Sequence, residues 1–202
     1  MRFITKLWMP SLVLLLAFLS IGQNCQPPAT VNHNLQVQRF TTSSLTNARA
    51  DAIMADMGQA LQTDNGSGDV ACSVSFTRAG NVTTFATGNG IINSQANFNA
   101  VNSLPGNIKV VNQINWCGAL IPNVIGCAPV PGNSLVVVRF TANQEDILWA
   151  HEYGHNKGLS HRNVANALMN GTININNNRV NQAECNAFST LPATTPAPVT
   201  KK

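Results

Sequence analysis

The stretch "HEYGHNKGLSH", residues 151–161, constrains this chain more than any other. Three of the four histidines in the 202 residues fall inside it. Clustered imidazoles repel one another once protonated, so such a cluster needs a reason. Reading Asn143 to Gly158 as a helix puts His151 and His155 on one face, one turn apart. Two imidazoles so placed can share one ion, and their nitrogen donors suit zinc. Glu152 is rotated about 100° from His151 around the axis, which sets its carboxylate beside such an ion rather than on it. A helix cannot bring a third ligand round to the same ion, so the chain must turn. Gly158 stands where a helix would stop with a left-handed residue, a conformation glycine adopts at little cost. His161 follows within reach. Three nitrogen ligands leave a fourth position for water, the arrangement of a catalytic rather than a structural zinc.

Around this stretch the chain has the size of one domain. Of its residues 44% are hydrophobic and only 10% are charged, with Asn, Thr and Ser supplying the polar surface. The formal charge of +4 is concentrated at the ends, in Arg2, Lys6, Lys201 and Lys202. No basic stripe interleaved with aromatics is present, so nucleic acid is not expected as a partner. Residues 1–22 read as a secretory signal peptide: Arg2 and Lys6 precede an apolar run from Ser11 to Ile21, with Ser20 and Gly22 suited to a cleavage site. That run is short for a membrane span, and no later segment is long and apolar enough for one. The expected location is therefore secreted or periplasmic. Cys25 follows Gln23 and Asn24 rather than small residues, which argues against a lipid anchor.

Export permits disulfides. Cys117 and Cys127 bracket a short loop, and Cys72 and Cys185 are left for a long-range pair, with Cys25 odd. No cysteines have the spacing of a zinc site. Residues 23–32 are read as a lead segment, 33–189 as the domain, and 190–202 as a Pro/Thr-rich tail. "HNLQVQRFT" alternates like a strand. Ala50, Ile53, Met54, Met57 and Leu61 predict a helix capped by Thr46. "VACSVSFTRAGNVTTFAT" predicts two strands joined through residues 79–81. "NIKVVNQINW" and "SLVVVRF" predict further strands, and "NQAECNAFS" a closing helix. The Asn/Gly-rich stretch 88–105 gives no assignment. "DNGSGD" offers Asp64 and Asp69 as calcium ligands but reads better as a helix-ending turn. His33 is read as structural and Tyr153 as packing. Asn65, Asn81 and Asn170 head Asn-x-Ser/Thr sites; Asn170 abuts Met169, where a glycan would be awkward.

"HEYGHNKGLSH" resembles the metzincin zinc-protease pattern HExxHxxGxxH. "NALMNG" adds Met169, eight residues after His161, similar to the methionine turn of that family. The "GLSH" and "ALM" pair looks most like the matrixin branch and its bacterial relatives. The motifs cover about twenty residues; the coarser succession of strands and helices covers most of the chain. The resemblance implies an α+β fold, a twisted mixed sheet with two long helices and a short C-terminal helix. It implies one catalytic Zn2+ held by His151, His155 and His161, with Glu152 as general base, Met169 as the floor and Gly158 as the turn. It implies a secreted, monomeric endopeptidase acting on proteins or peptides laid along an edge strand, and "NIKVVNQI" and "SLVVVRF" are the candidates for that strand or its neighbour. A non-proteolytic amide hydrolase and an inactive zinc-binding module are the alternatives. Arg162 departs from the matrixin pattern, and no second zinc site or aspartate-rich calcium loop is recognisable.

Overall fold

The structure, a computed structural model, describes residues 30–64, 66 and 68–191. The expected signal segment, Cys25 and most of the tail lie outside the described residues. The chain starts as a nearly continuous strand, β1 (Val31–Leu35) and β2 (Val37–Phe40), interrupted at Gln36. Val31 and Asn32 pair with Val74 and Ser75. Helix α1 (Asn47–Leu61) follows, capped by the Thr46 hydroxyl, which accepts from the Arg49 amide at 3.2 Å. Its Ala50, Ile53, Met54, Met57 and Leu61 are buried, as their spacing requires.

The chain then returns through β3 (Val74–Arg78) and β4 (Thr83–Phe85). These are not a hairpin. Both run parallel to the first strand: Val31 pairs with Val74, 43 residues on, and Gln38 with Thr83, 45 on. The loop around Gly80 thus holds two extra residues in a bulge within one strand path. Two parallel strands require a crossover, which α1 supplies.

Stretch 88–105 contains β5 (Ile91–Ile92) and a helix that the sequence did not announce, α2 (Gln95–Asn102), capped by Ser94. Next come β6 (Ile108–Val111), β7 (Gln113–Trp116), β8 (Leu120–Val124), β9 (Gly126–Cys127) and β10 (Leu135–Val138). The larger sheet has the order β4-β2-β6-β10-β9, parallel except for β9 against β10. A smaller sheet has the order β5-β7-β8. The last helices are α3 (Glu145–Asn156) and α4 (Gln182–Phe188).

The central strands β6 and β10 are covered on both faces. Ile108, Val110, Leu135 and Val137 join a core with α1 and α3, while Val111 and Val136 face Phe98 and Val101 of α2. This explains why "SLVVV" is an unbroken apolar run rather than an alternating one. The fully buried Lys109 donates to the carbonyls of Asn102 and Gly106 and to Ser134 Oγ. It places a cation at the carbonyl end of α2, and burial pulls its ammonium down to about 8.

Candidate metal centre and cleft

Helix α3 lies under β9 and β10. Its N-terminus is held by Glu145, whose fully buried carboxylate accepts from Arg139 Nε at 2.5 Å and Arg49 Nε at 3.0 Å. Burial alone would raise this carboxyl; the bonds from Arg139, the Phe140 amide and Arg49 outweigh it and hold the carboxyl below its ordinary range. The helix starts two residues later than the sequence spacing suggests, because the Gln144 amide closes a turn onto Thr141. It ends in a Schellman motif: the Leu159 amide reaches the Gly154 carbonyl at 3.0 Å and the Gly158 amide the His155 carbonyl at 2.9 Å. Gly158 has φ +85°, the left-handed conformation this motif needs.

Beyond that turn His161 comes back to the helix. Its Nε2 lies 3.3 Å from His151 Nε2 and 3.2 Å from His155 Nε2. Tetrahedral zinc with bonds of about 2.0–2.1 Å separates its ligand nitrogens by about 3.3 Å, so the spacing fits that ion. On the two helical histidines the other ring nitrogen is committed: His151 Nδ1 donates to the Leu168 carbonyl at 2.9 Å and His155 Nδ1 to the Leu159 carbonyl at 2.7 Å. Each bond fixes the tautomer that presents the Nε2 lone pair inward. Lone pairs converging on one point favour a cation there. Burial pulls His151 down to about 4 and lowers His155 as well, keeping both neutral as ligands must be. Among the described residues this is the one cluster of metal-ligating side chains.

Glu152 is buried beside the trio, and burial with no compensating bond pushes its carboxyl up to about 8. A bound cation would act in the opposite sense. Its neighbour is β9: a Cβ on Gly126 would stand only 2.3 Å from Glu152 Oε1. The fully buried Met169 packs on the helix at Gly154, where a Cβ would come within 2.4 Å of its Sδ. Neither glycine was singled out from sequence. Gly154 did carry a signal, since glycine inside a helix costs about 1 kcal/mol and needs a packing reason. Gly126 carried none.

A cleft of about 780 Å³ opens over the histidines. Ile121, Val124, Ile125 and Val130 line it, together with Thr172 and Ile173 from the segment after Met169. Its ionisable lining groups are the histidines and Glu152. Neither candidate segment is itself an edge strand, but "SLVVVRF" is the neighbour of one. "NIKVVNQI" lies inside the larger sheet as β6 and then crosses into the smaller one, and "SLVVVRF" is β10, also internal. The edge strands beside the cleft are β8 and β9, and the two-residue β9 is too short to read as a strand.

Cys72 pairs with Cys185 and Cys117 with Cys127, the second bond tying β9 to the loop that lines the cleft. His33 is buried: its Nε2 meets the Phe188 carbonyl at 2.6 Å and its Nδ1 meets the Tyr153 hydroxyl at 2.9 Å. Tyr153 therefore does more than pack; it joins α3 to β1. Asn156 Nδ2 donates to Pro129 and Ser134 carbonyls, tying the helix end to the loop before β10. Asp69 is paired with Arg162 and Arg179, while Asp64 accepts from the Gly66 amide in a local turn. Both interactions favour the turn reading over a calcium loop.

No protein-family model matches the chain, and no curated protein sequence does. Among solved structures, archaemetzincin from Methanopyrus kandleri is similar at a TM-score of 0.51 and 12% identity, over 81% of this chain and 96% of that one. A zinc-dependent peptidase from Methanocorpusculum labreanum aligns at a TM-score of 0.46 and 11% identity, over 76% of this chain and 100% of that one. At this identity the likeness concerns architecture alone: the chain has a mixed α/β fold similar to that of archaemetzincin.

Proposed function

We propose that this protein is a secreted zinc-dependent endopeptidase. The observation that carries the reading is the convergence of three imidazole nitrogens, those of His151 and His155 lying 3.3 and 3.2 Å from His161 Nε2, with a buried carboxylate next to them at the floor of an open cleft. His151, His155 and His161 would hold zinc, which supplies a Lewis acid that acidifies water and polarises a carbonyl. Glu152 takes the proton from the attacking water and returns it to the leaving amine. Its carboxyl sits in a dry site, which raises its basicity towards that of a working general base. Met169 and the Leu168 carbonyl fix the floor: one packs on Gly154, the other orients His151.

The substrate reading rests on β9. This strand ends the sheet, so its outer edge can take an extended peptide by strand addition. The uncharged, largely aliphatic walls favour peptide segments without charge at the scissile bond. Two disulfides suit an oxidising compartment, which supports export by the N-terminal segment. The spacing from His161 to Met169 is the ground for a matrixin-like placing, and the position of Asn170 beside Met169, where a glycan would be awkward, is the ground for a bacterial source. Replacing Glu152 with Gln tests the chemistry. Zinc content should stay at one ion per chain while casein hydrolysis falls by at least 10²-fold. Retained hydrolysis would remove Glu152 from the role of base.

A further inference from the structure

His161 is the ligand that no helix holds. It is exposed and lies in an irregular segment, yet its ring must keep the position that His151 and His155 have prepared. The next residue, Arg162, shows what holds it. The Arg162 amide donates to the Met169 carbonyl at 2.7 Å, fastening the strand of chain after His161 to the floor of the site. Its guanidinium points the other way. Nε donates to Glu184 Oε1 at 2.8 Å, Nη1 to Asp69 Oδ1 at 3.4 Å and Nη2 to the Arg179 carbonyl at 2.7 Å. Both carboxylates are almost fully buried, and the guanidinium is mostly so. Charge-assisted bonds from a planar fork in such a setting are directional as well as strong.

The receiving groups form one platform. Glu184 completes the capping box of α4 through the Asn181 amide at 2.9 Å. Asp69 and Asn181 form a bridge, and the Val70 amide bonds the Val180 carbonyl at 2.8 Å. The Cys72–Cys185 disulfide joins the same two segments a few residues away. Arg162 is thus moored to residues outside α3, on the two segments that this disulfide joins.

We infer that Arg162 is a positioning residue, which sets the third histidine by docking it onto the Asp69–Glu184 platform. The inference rests on the zinc reading above and concerns how the site is held, not what it cleaves. An active-site helix supplies two ligands with a geometry fixed by its own pitch; the third ligand needs an external reference, and this platform is that reference.

The test is zinc affinity of the purified full-length protein, measured by chelator competition, with the visible spectrum of the Co2+ form as a second readout. Arg162→Ala should weaken zinc binding by about 10- to 100-fold, the range for groups that orient ligands. The Co2+ spectrum should change with it, because the third nitrogen no longer stays on the ion. Arg162→Lys should recover only part of the affinity, since it keeps the charge without the fork. If Arg162→Ala does not fold, the Asp69→Asn/Glu184→Gln double variant carries the test, because it keeps side-chain size and the α4 cap. Wild-type zinc affinity and an unchanged Co2+ spectrum in a folded variant would overturn the inference, even if the melting temperature fell. A wild-type protein that binds no zinc would overturn both this and the protease reading. One that binds zinc and cleaves nothing would overturn only the latter.

Discussion

Gly126→Ala is a one-methyl perturbation aimed at Glu152, the proposed general base. The added carbon would stand 2.3 Å from Glu152 Oε1, 2.6 Å from Cδ and 2.7 Å from Cγ, where ordinary contact starts at 3.4 Å. The strand cannot give way easily. Gly126 and Cys127 are paired with Val137 and Val136, and Cys127 is bonded to Cys117. The carboxyl must therefore retreat by roughly 1 Å, and a misplacement of that size costs on the order of 10²-fold in rate. Overpacking adds a stability cost of about 1–3 kcal/mol, small enough to leave a domain of ordinary stability folded. The three histidines are not touched. The assay is kcat/KM on a fluorogenic peptide together with zinc content and melting temperature. The expected result is roughly 10²-fold lower kcat/KM with one zinc per chain retained. Wild-type activity would refute the reasoning, and so would loss of zinc, since that would mean the strain passes into the helix instead of the carboxylate.

Two further outcomes follow from the same structure. Removing the Cys117–Cys127 bond with serines should cost about 3 kcal/mol on the chain-entropy model and raise KM more than it lowers kcat, because the bond holds the cleft rim and not the ligands; denaturant titration and kinetics check this. Removing Cys72–Cys185, which closes a far longer loop, should cost about 5 kcal/mol on the same model. The buried His33 gives a pH dependence. Burial lowers its pKa, with the Phe188 carbonyl acting against this and Lys157 with it, so the native state favours the neutral ring. Below the ordinary histidine value of about 6.5 the unfolded chain takes up the proton first, so stability is complete above that pH and is lost as pH falls through the lower, native value. Urea midpoints for wild type and His33→Gln should converge as pH drops from 7.5 to 5; parallel curves would show that His33 is not the group involved.

The site was legible where function writes itself into local spacing. His151, Glu152, His155, Gly158 and His161 could be read together because a helix pitch and a helix stop are properties of short sequence. Met169 was legible only through the family pattern. What stayed hidden is non-local. Gly126 matters because a strand far off in sequence packs on Glu152, and nothing around "VIGC" announces that contact. Arg162 stood out as a departure and was explained only by Asp69 and Glu184, which are 93 and 22 residues away. In the fold, α1 was readable from five periodic apolar residues and a threonine cap. The eight-residue α2 buries only Phe98 and Val101, too little to give a periodic signal in an asparagine-rich segment. The parallel course of β3 and β4 was hidden because a glycine turn between two strands has the same sequence signature as a hairpin.

Digestion of a peptide library by the mature protein, with and without a zinc chelator, tests the central claim most directly. The account predicts internal cleavage, with uncharged residues around the cut, that stops on chelation and returns when zinc is restored. Cleavage that persists in the chelator, or no cleavage by protein carrying one zinc per chain, would contradict it.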